Sequence, residues 1–97
     1  MSLSSWNLTE LERAHKFCFK NEFSVKNSTL CGCFKCLAIY PSSLVSENDI
    51  YGESNGGKTV FCPYCRIDSV IGDKSNFPIN TDFLTAMNSH YFLGDIG

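Results

Sequence analysis

The sequence predicts a small α+β fold, a core of short β-strands flanked by an N-terminal and a C-terminal helix. Three observations carry that prediction. Two Cys-x2-Cys pairs, Cys33/Cys36 and Cys62/Cys65, lie 25 residues apart, each beside β-rich sequence. A segment of helical periodicity precedes the first pair, and another follows the second. The chain has 97 residues, 43% of them hydrophobic and 19% charged, which suits one globular domain with a small core. Residues 1–97 are accordingly read as a single domain, with residues 1–6 as a loose end.

Asn7 is placed as a helix N-cap, and Glu10 three residues later completes a capping box. Trp6 and Leu11 stand where a hydrophobic staple would hold the entry. Leu8, Leu11, His15, Cys18 and Phe19 then share one face at helical spacing, so a helix is predicted over residues 8–20. Residues 24–29 read as a loop. Leu37-Ala38-Ile39-Tyr40 reads as a short strand, and Pro41-Ser42-Ser43-Leu44-Val45 as a helical turn with proline near its start. Residues 52–57 form a glycine-rich loop, and Thr59-Val60-Phe61 a strand that runs into the second cysteine pair. Residues 67–71 alternate as a strand stopped at Gly72. Asn80 is a second N-cap, with Ile79 and Leu84 as its staple. Phe83, Met87 and His90 or Tyr91 line a helix to about residue 92.

The cysteines carry the chemistry. Two residues between cysteines let a tight turn aim both sulfurs at one ion, and two such turns give a tetrahedral four-thiolate cage. The expected ligands are Cys33, Cys36, Cys62 and Cys65, holding one structural Zn2+ in a zinc-ribbon or treble-clef-like core. Cys31 complicates the first pair, because Cys31-x4-Cys36 is also a permitted spacing. Cys33 is preferred since its spacing matches the second pair, which leaves Cys31 as a bystander, a reserve ligand or a nearby thiol. His15 and Cys18, three apart, could join Cys31 in a second metal site. The plainer reading makes them a half-buried histidine and a core thiol.

Charge limits the partners. Lys plus Arg number 8 and Asp plus Glu 10, a net charge of −2. Four thiolates around Zn2+ would take the total near −4, which disfavours nucleic acid. The first 36 residues hold five basic and three acidic residues, and Arg13, Lys16 and Lys20 gather there. They read as a solvated helix face or as a patch for an acidic partner. No apolar run approaches a membrane span, and residues 1–6 carry no basic start and no apolar stretch. The chain is therefore expected in the cytoplasm, without a signal peptide. Its thiols should stay reduced there, and the sequon matches at Asn7 and Asn27 carry no weight.

Three motif matches point elsewhere and fail on context. Gly52-Glu53-Ser54-Asn55-Gly56-Gly57-Lys58-Thr59 fits the phosphate-loop pattern, but β-formers and Pro63 follow where a helix is needed. Cys62-Pro63-Tyr64-Cys65 is the glutaredoxin tetrapeptide, yet only 32 residues remain after it and the next ones read as strand. The zinc-deaminase pattern lacks its glutamate at both histidines and its proline at Phe61.

Cys31-Gly32-Cys33-Phe34-x-Cys36, followed by Cys62-Pro63-Tyr64-Cys65-x-Ile67-Asp68-Ser69-Val70-Ile71-Gly72-Asp73, resembles a family of small, uncharacterised bacterial cytoplasmic proteins. The resemblance extends over residues 8–92. It implies a zinc-ribbon-like protein and supplies no activity. Members commonly carry glycine after CPYC, where this chain has Arg66. That change would strain the turn or alter its geometry.

The residues thus point first to a structural zinc module that binds a protein partner and catalyses nothing itself. A nucleic-acid-binding ribbon using Arg13, Lys16, Lys20 and Lys35 is the alternative. A small-ligand or enzyme site at Asp68, Ser69 and Asp73 is a weaker one, and a thiol-based zinc sensor using Cys31 is weaker still.

Overall fold

The computed structural model describes residues 6–97. The elements follow in the order α1 (Leu8–His15), α2 (Glu22–Lys26), β1 (Leu30–Cys33), β2 (Ile39–Pro41), β3 (Ile50–Gly52), β4 (Lys58–Val60), β5 (Val70–Gly72) and α3 (Thr81–Phe92), joined in part by short 3-10 turns. The predicted α+β class and its flanking helices are therefore seen.

Strands β2, β1 and β5 form an antiparallel sheet in that order, and β3 and β4 form a separate hairpin. In the sheet, Cys31 lies opposite Tyr40 on one side and Gly72 on the other, and Cys33 lies opposite Val70. Two cores result. One gathers Leu11, Ala14, Cys18, Phe34, Ile71 and the apolar side of α3, including Phe83, Leu84 and Met87. The second gathers Val25, Cys31, Cys33, Tyr40, Val60, Cys62 and Val70. Strand alternation explains the division, because successive residues face opposite ways. Gly32 faces the first core and has no room for a side chain. A Cβ there would stand 2.8 Å from Leu84 and 2.9 Å from Ile79.

Both N-caps form as the sequence indicates. The Asn7 side chain accepts from the Glu10 amide at 2.9 Å, and Glu10 accepts from the Asn7 amide at 3.1 Å. Asn80 accepts from the Phe83 amide at 2.8 Å. Of the expected loose end, residues 1–5 lie outside the described residues. Trp6 is no part of it: its ring packs edge-on against Phe83 at 5.1 Å.

Several expectations need correction. The strands read over residues 37–40 and 67–71 form only at Ile39–Pro41 and Val70–Gly72. The first helix stops at His15, continues as a 3-10 turn to Cys18 and ends at Lys20, whose φ of 51° is left-handed. Its buried face is Leu11, Ala14 and Cys18, while Leu8 and Phe19 are exposed. The loop read over residues 24–29 is partly helix α2, which buries Val25. Its last residues close with side chains, Asn27 donating to Phe23 O and Ser28 to Ser24 O. Gly72 does not stop β5 but belongs to it. A Cβ there would collide with Ser28 Oγ, so glycine is what lets α2's end lie on the strand.

Asn21 is the reason the first helix ends early. Its amide donates to Phe17 O at 2.9 Å and Val70 O at 2.8 Å, and its oxygen accepts from the Val60 amide at 2.9 Å. Reaching β4 and β5 together requires the chain to leave the helix before it.

Candidate metal centre

Two turns build the site. The first runs from the end of β1, through Cys33 and Cys36, into β2. The second joins β4 to β5 through Cys62 and Cys65. The four sulfurs, Cys33, Cys36, Cys62 and Cys65, all lie within 4.8 Å of one another and could hold a metal ion. Across the two turns, Cys33 Sγ is 3.6 Å from Cys65 Sγ, and Cys36 Sγ is 3.8 Å from Cys62 Sγ. All six cysteines are free thiols, as the sequence implied.

Each turn closes in the same way. Leu37 N donates to Cys33 O at 2.8 Å and Arg66 N to Cys62 O at 2.9 Å. The residue after each second cysteine is left-handed, Leu37 at φ 67° and Arg66 at 65°. Arg66 thus takes the same left-handed backbone as Leu37 in the first turn. Two amides inside the turns point at sulfur, Lys35 N to Cys33 at 3.3 Å and Tyr64 N to Cys62 at 3.4 Å.

Buried polar side chains fix the turns to the body. Asn21 holds the strands on either side of the second turn. Asn88, buried on α3, donates to Phe34 O at 3.0 Å in the first turn and to Asp95 O at 2.8 Å in the tail. Arg66 pairs with the buried carboxylate of Asp49 and donates to Tyr51 Oη at 2.9 Å, tying the second turn to the β3 hairpin. Burial raises the Asp49 carboxyl, but the Ser46 amide and hydroxyl and the Arg66 guanidinium outweigh it and hold the group low. None of these anchors was named from the sequence. A polar residue between apolar ones reads as surface unless its tertiary partners are known.

The Cys62 thiol is held below its ordinary value, first by its contact with Cys33, then by backbone amides and the Tyr40 hydroxyl, against the effect of burial. The Cys33 thiol moves the opposite way, first because it shares that proton and then because it is buried.

The remaining candidates are placed apart from the cluster. Cys31 is fully buried in the sheet. Burial, with Asp73 adding to it, pushes its thiol up to about 12. Cys18 lies in the other core, donates to His15 O at 3.0 Å, and is also pushed up to about 12, by burial first. His15 stacks on Tyr91 at 4.1 Å. Among the described residues the four cysteines are the only such group, so His15, Cys18 and Cys31 form no second site.

The suggested ligand site at residues 68–73 is likewise dispersed. Asp68 is exposed. The Ser69 hydroxyl contacts Cys33 Sγ at 3.0 Å, and Asp73 accepts from the Thr29 and Leu30 amides at 3.0 and 3.1 Å. Nor do the basic residues form one helix face. Arg13 is on α1, Lys16 on the 3-10 turn, Lys20 in the left-handed linker, and Lys35 pairs with Asp95 at 3.3 Å. Residues 52–59 are the β3–β4 hairpin, in which Glu53 and Gly57 bond across the turn at 2.9 Å. No helix follows Lys58, so the phosphate-loop match has no structural counterpart.

Both cysteine pairs come from turns between strands, and no helix supplies a sulfur. The class this defines is a zinc-ribbon-like α+β core with helices on either side. Comparison of the chain with family models, curated proteins and solved structures gives no match in any of the three.

Proposed function

We propose that Cys33, Cys36, Cys62 and Cys65 bind one structural Zn2+ and that the chain is a bacterial cytoplasmic module for docking a protein partner, without catalysis of its own. The convergence of four sulfurs from two turns carries this reading. A Zn–S bond of about 2.3 Å implies a tetrahedral sulfur–sulfur edge of about 3.8 Å. The cross-turn separations of 3.6 and 3.8 Å fit that edge. Four protein thiolates fill the tetrahedral shell, which leaves no position for a substrate or a reactive water. The zinc would then supply cross-linking only.

Exposed aromatic side chains support the docking role. Phe23 is 76% exposed and Phe19 48%, in a stretch that also carries Lys16 and Lys20; Lys26 is already paired with Glu22 and Glu47. Apolar groups between cations suit a partner with an apolar patch and an acidic rim. Among the described residues no helix is long and apolar enough to cross a membrane.

Elemental analysis of the purified protein tests the metal, with one zinc per chain expected. Iron, or no metal after purification without chelators, would overturn it. Affinity capture with nuclease treatment tests the role. A partner that survives nuclease and is lost on Phe23→Glu, with zinc retained, supports docking. Association abolished by nuclease would favour the nucleic-acid alternative.

A further inference from the structure

Two buried hydroxyls among the described residues have no hydrogen-bond partner, those of Ser24 and Tyr40. A buried polar group left unpaired is costly to the fold. In a core this small, the tyrosine needs a reason. Its position supplies one. Tyr40 is only 3% exposed, between exposed Ile39 and Pro41. It lies opposite Cys31 in the sheet, and directly opposed residues share a face. Cys33, two residues along, shares that face too. The Tyr40 ring meets Tyr64 of the second turn edge-on at 5.6 Å, and Tyr40 lies in the same buried cluster as Cys62.

The donors around the sulfurs show what is missing. Cys36 and Cys65 are half-buried and reach water, whereas Cys33 and Cys62 are fully buried. Four thiolates around a dication leave a charge of −2, and the buried share of it needs donors from the protein. Cys33 has two, the Lys35 amide and the Ser69 hydroxyl. Cys62 has the matching amide, from Tyr64, and no hydroxyl; its other contact is the sulfur of Cys36, a fellow ligand. A phenol is protonated at neutral pH and can be the second donor.

We propose that the Tyr40 hydroxyl donates to the metal-bound sulfur of Cys62, as Ser69 does to Cys33, and that this bond slows release of the metal. Tyr40 is thus a positioning residue for the metal centre. The proposal rests on the metal reading above.

Tyr40→Phe keeps the ring and removes only the donor. Zinc transfer to a chromogenic chelator should become at least about 10-fold faster, as is usual when an outer partner of a ligand is lost. With Co2+ in place of zinc, the sulfur-to-cobalt charge-transfer band should move to lower energy, because the sulfur loses a stabilising donor. Ser69→Ala should shift the same band in the same direction. A hydroxyl that is merely stranded gives the opposite result: Tyr40→Phe would melt at or above the wild-type temperature, with release rate and spectrum unchanged. That outcome overturns the proposal alone. Failure of the wild type to give a tetrahedral cobalt–thiolate spectrum would overturn the metal reading and this proposal together.

Discussion

Asn21→Ala tests the architecture behind the metal centre. Asn21 is 3% exposed, and its side chain makes three hydrogen bonds to backbone. Truncation strands the amide of Val60, a fully buried residue, and a stranded buried donor costs about 1–3 kcal/mol. The Phe17 and Val70 carbonyls lose a donor each, at smaller cost, because a carbonyl has a second lone pair. The total is about 2–4 kcal/mol, which for a domain of this size lowers the melting temperature by on the order of 10–25 °C. Asn27 is the natural control. It makes the same bond to the carbonyl four residues back, at 2.8 Å, but is exposed, so Asn27→Ala should stay within about 0.5 kcal/mol of wild type. The assay is thermal unfolding of zinc-loaded protein followed by circular dichroism, with zinc release to a chelator measured in parallel. Release should quicken in Asn21→Ala, since the strands entering and leaving the second turn lose their common anchor. If Asn21→Ala melts within about 2 °C of Asn27→Ala, the bridging role assigned to Asn21 is wrong.

Cys62→Ser should leave the chain unfolded or aggregated, because a structural zinc contributes on the order of 10 kcal/mol or more to small modules. Cys18→Ser keeps a donor for the His15 carbonyl and should fold with its zinc; equal damage from the two substitutions, by circular dichroism and zinc content, would contradict the ligand assignment. Gly32→Ala should cost about 1–3 kcal/mol in urea unfolding through its contact with Leu84 and Ile79. Gly52→Ala, with nothing within 4 Å, should be close to neutral. Lys58→Ala should change nothing, and calorimetry with ATP or GTP should be flat for wild type and variant; binding abolished by the substitution would restore the phosphate-loop reading.

What the sequence revealed was mostly local. The Asn7 and Asn80 caps, the glycine hairpin and the preference for Cys33 over Cys31 each depend on residues a few positions apart. The end of the first helix was not legible, because the residue that breaks it does so by bonding to Val60 and Val70, about 40 and 50 positions away. Helix α2 was hidden for a related reason. Ser-Val-Lys-Asn-Ser-Thr has poor helical propensity, and the segment is held by Val25 in the core and by side chains bonded one turn back. His15, Cys18 and Cys31 looked like a second ligand set only while the sheet between the two cores was unknown.

The residue at position 66 shows how the centre and the cores depend on one another. An L-residue in left-handed backbone costs on the order of 1 kcal/mol, which glycine would avoid. Both turns nevertheless use a side chain there, and each side chain reaches a different part of the fold. Leu37 packs against the first core, and Arg66 grips Asp49 and Tyr51 beside the β3 hairpin. The backbone strain is offset by an anchor that glycine cannot provide. The sulfur pairs then cross between the turns, Cys33 toward Cys65 and Cys36 toward Cys62. A metal held by all four would fasten a turn rooted in the helical core to a turn rooted in the hairpin. Loss of either anchor should therefore loosen the metal before it loosens the opposite core.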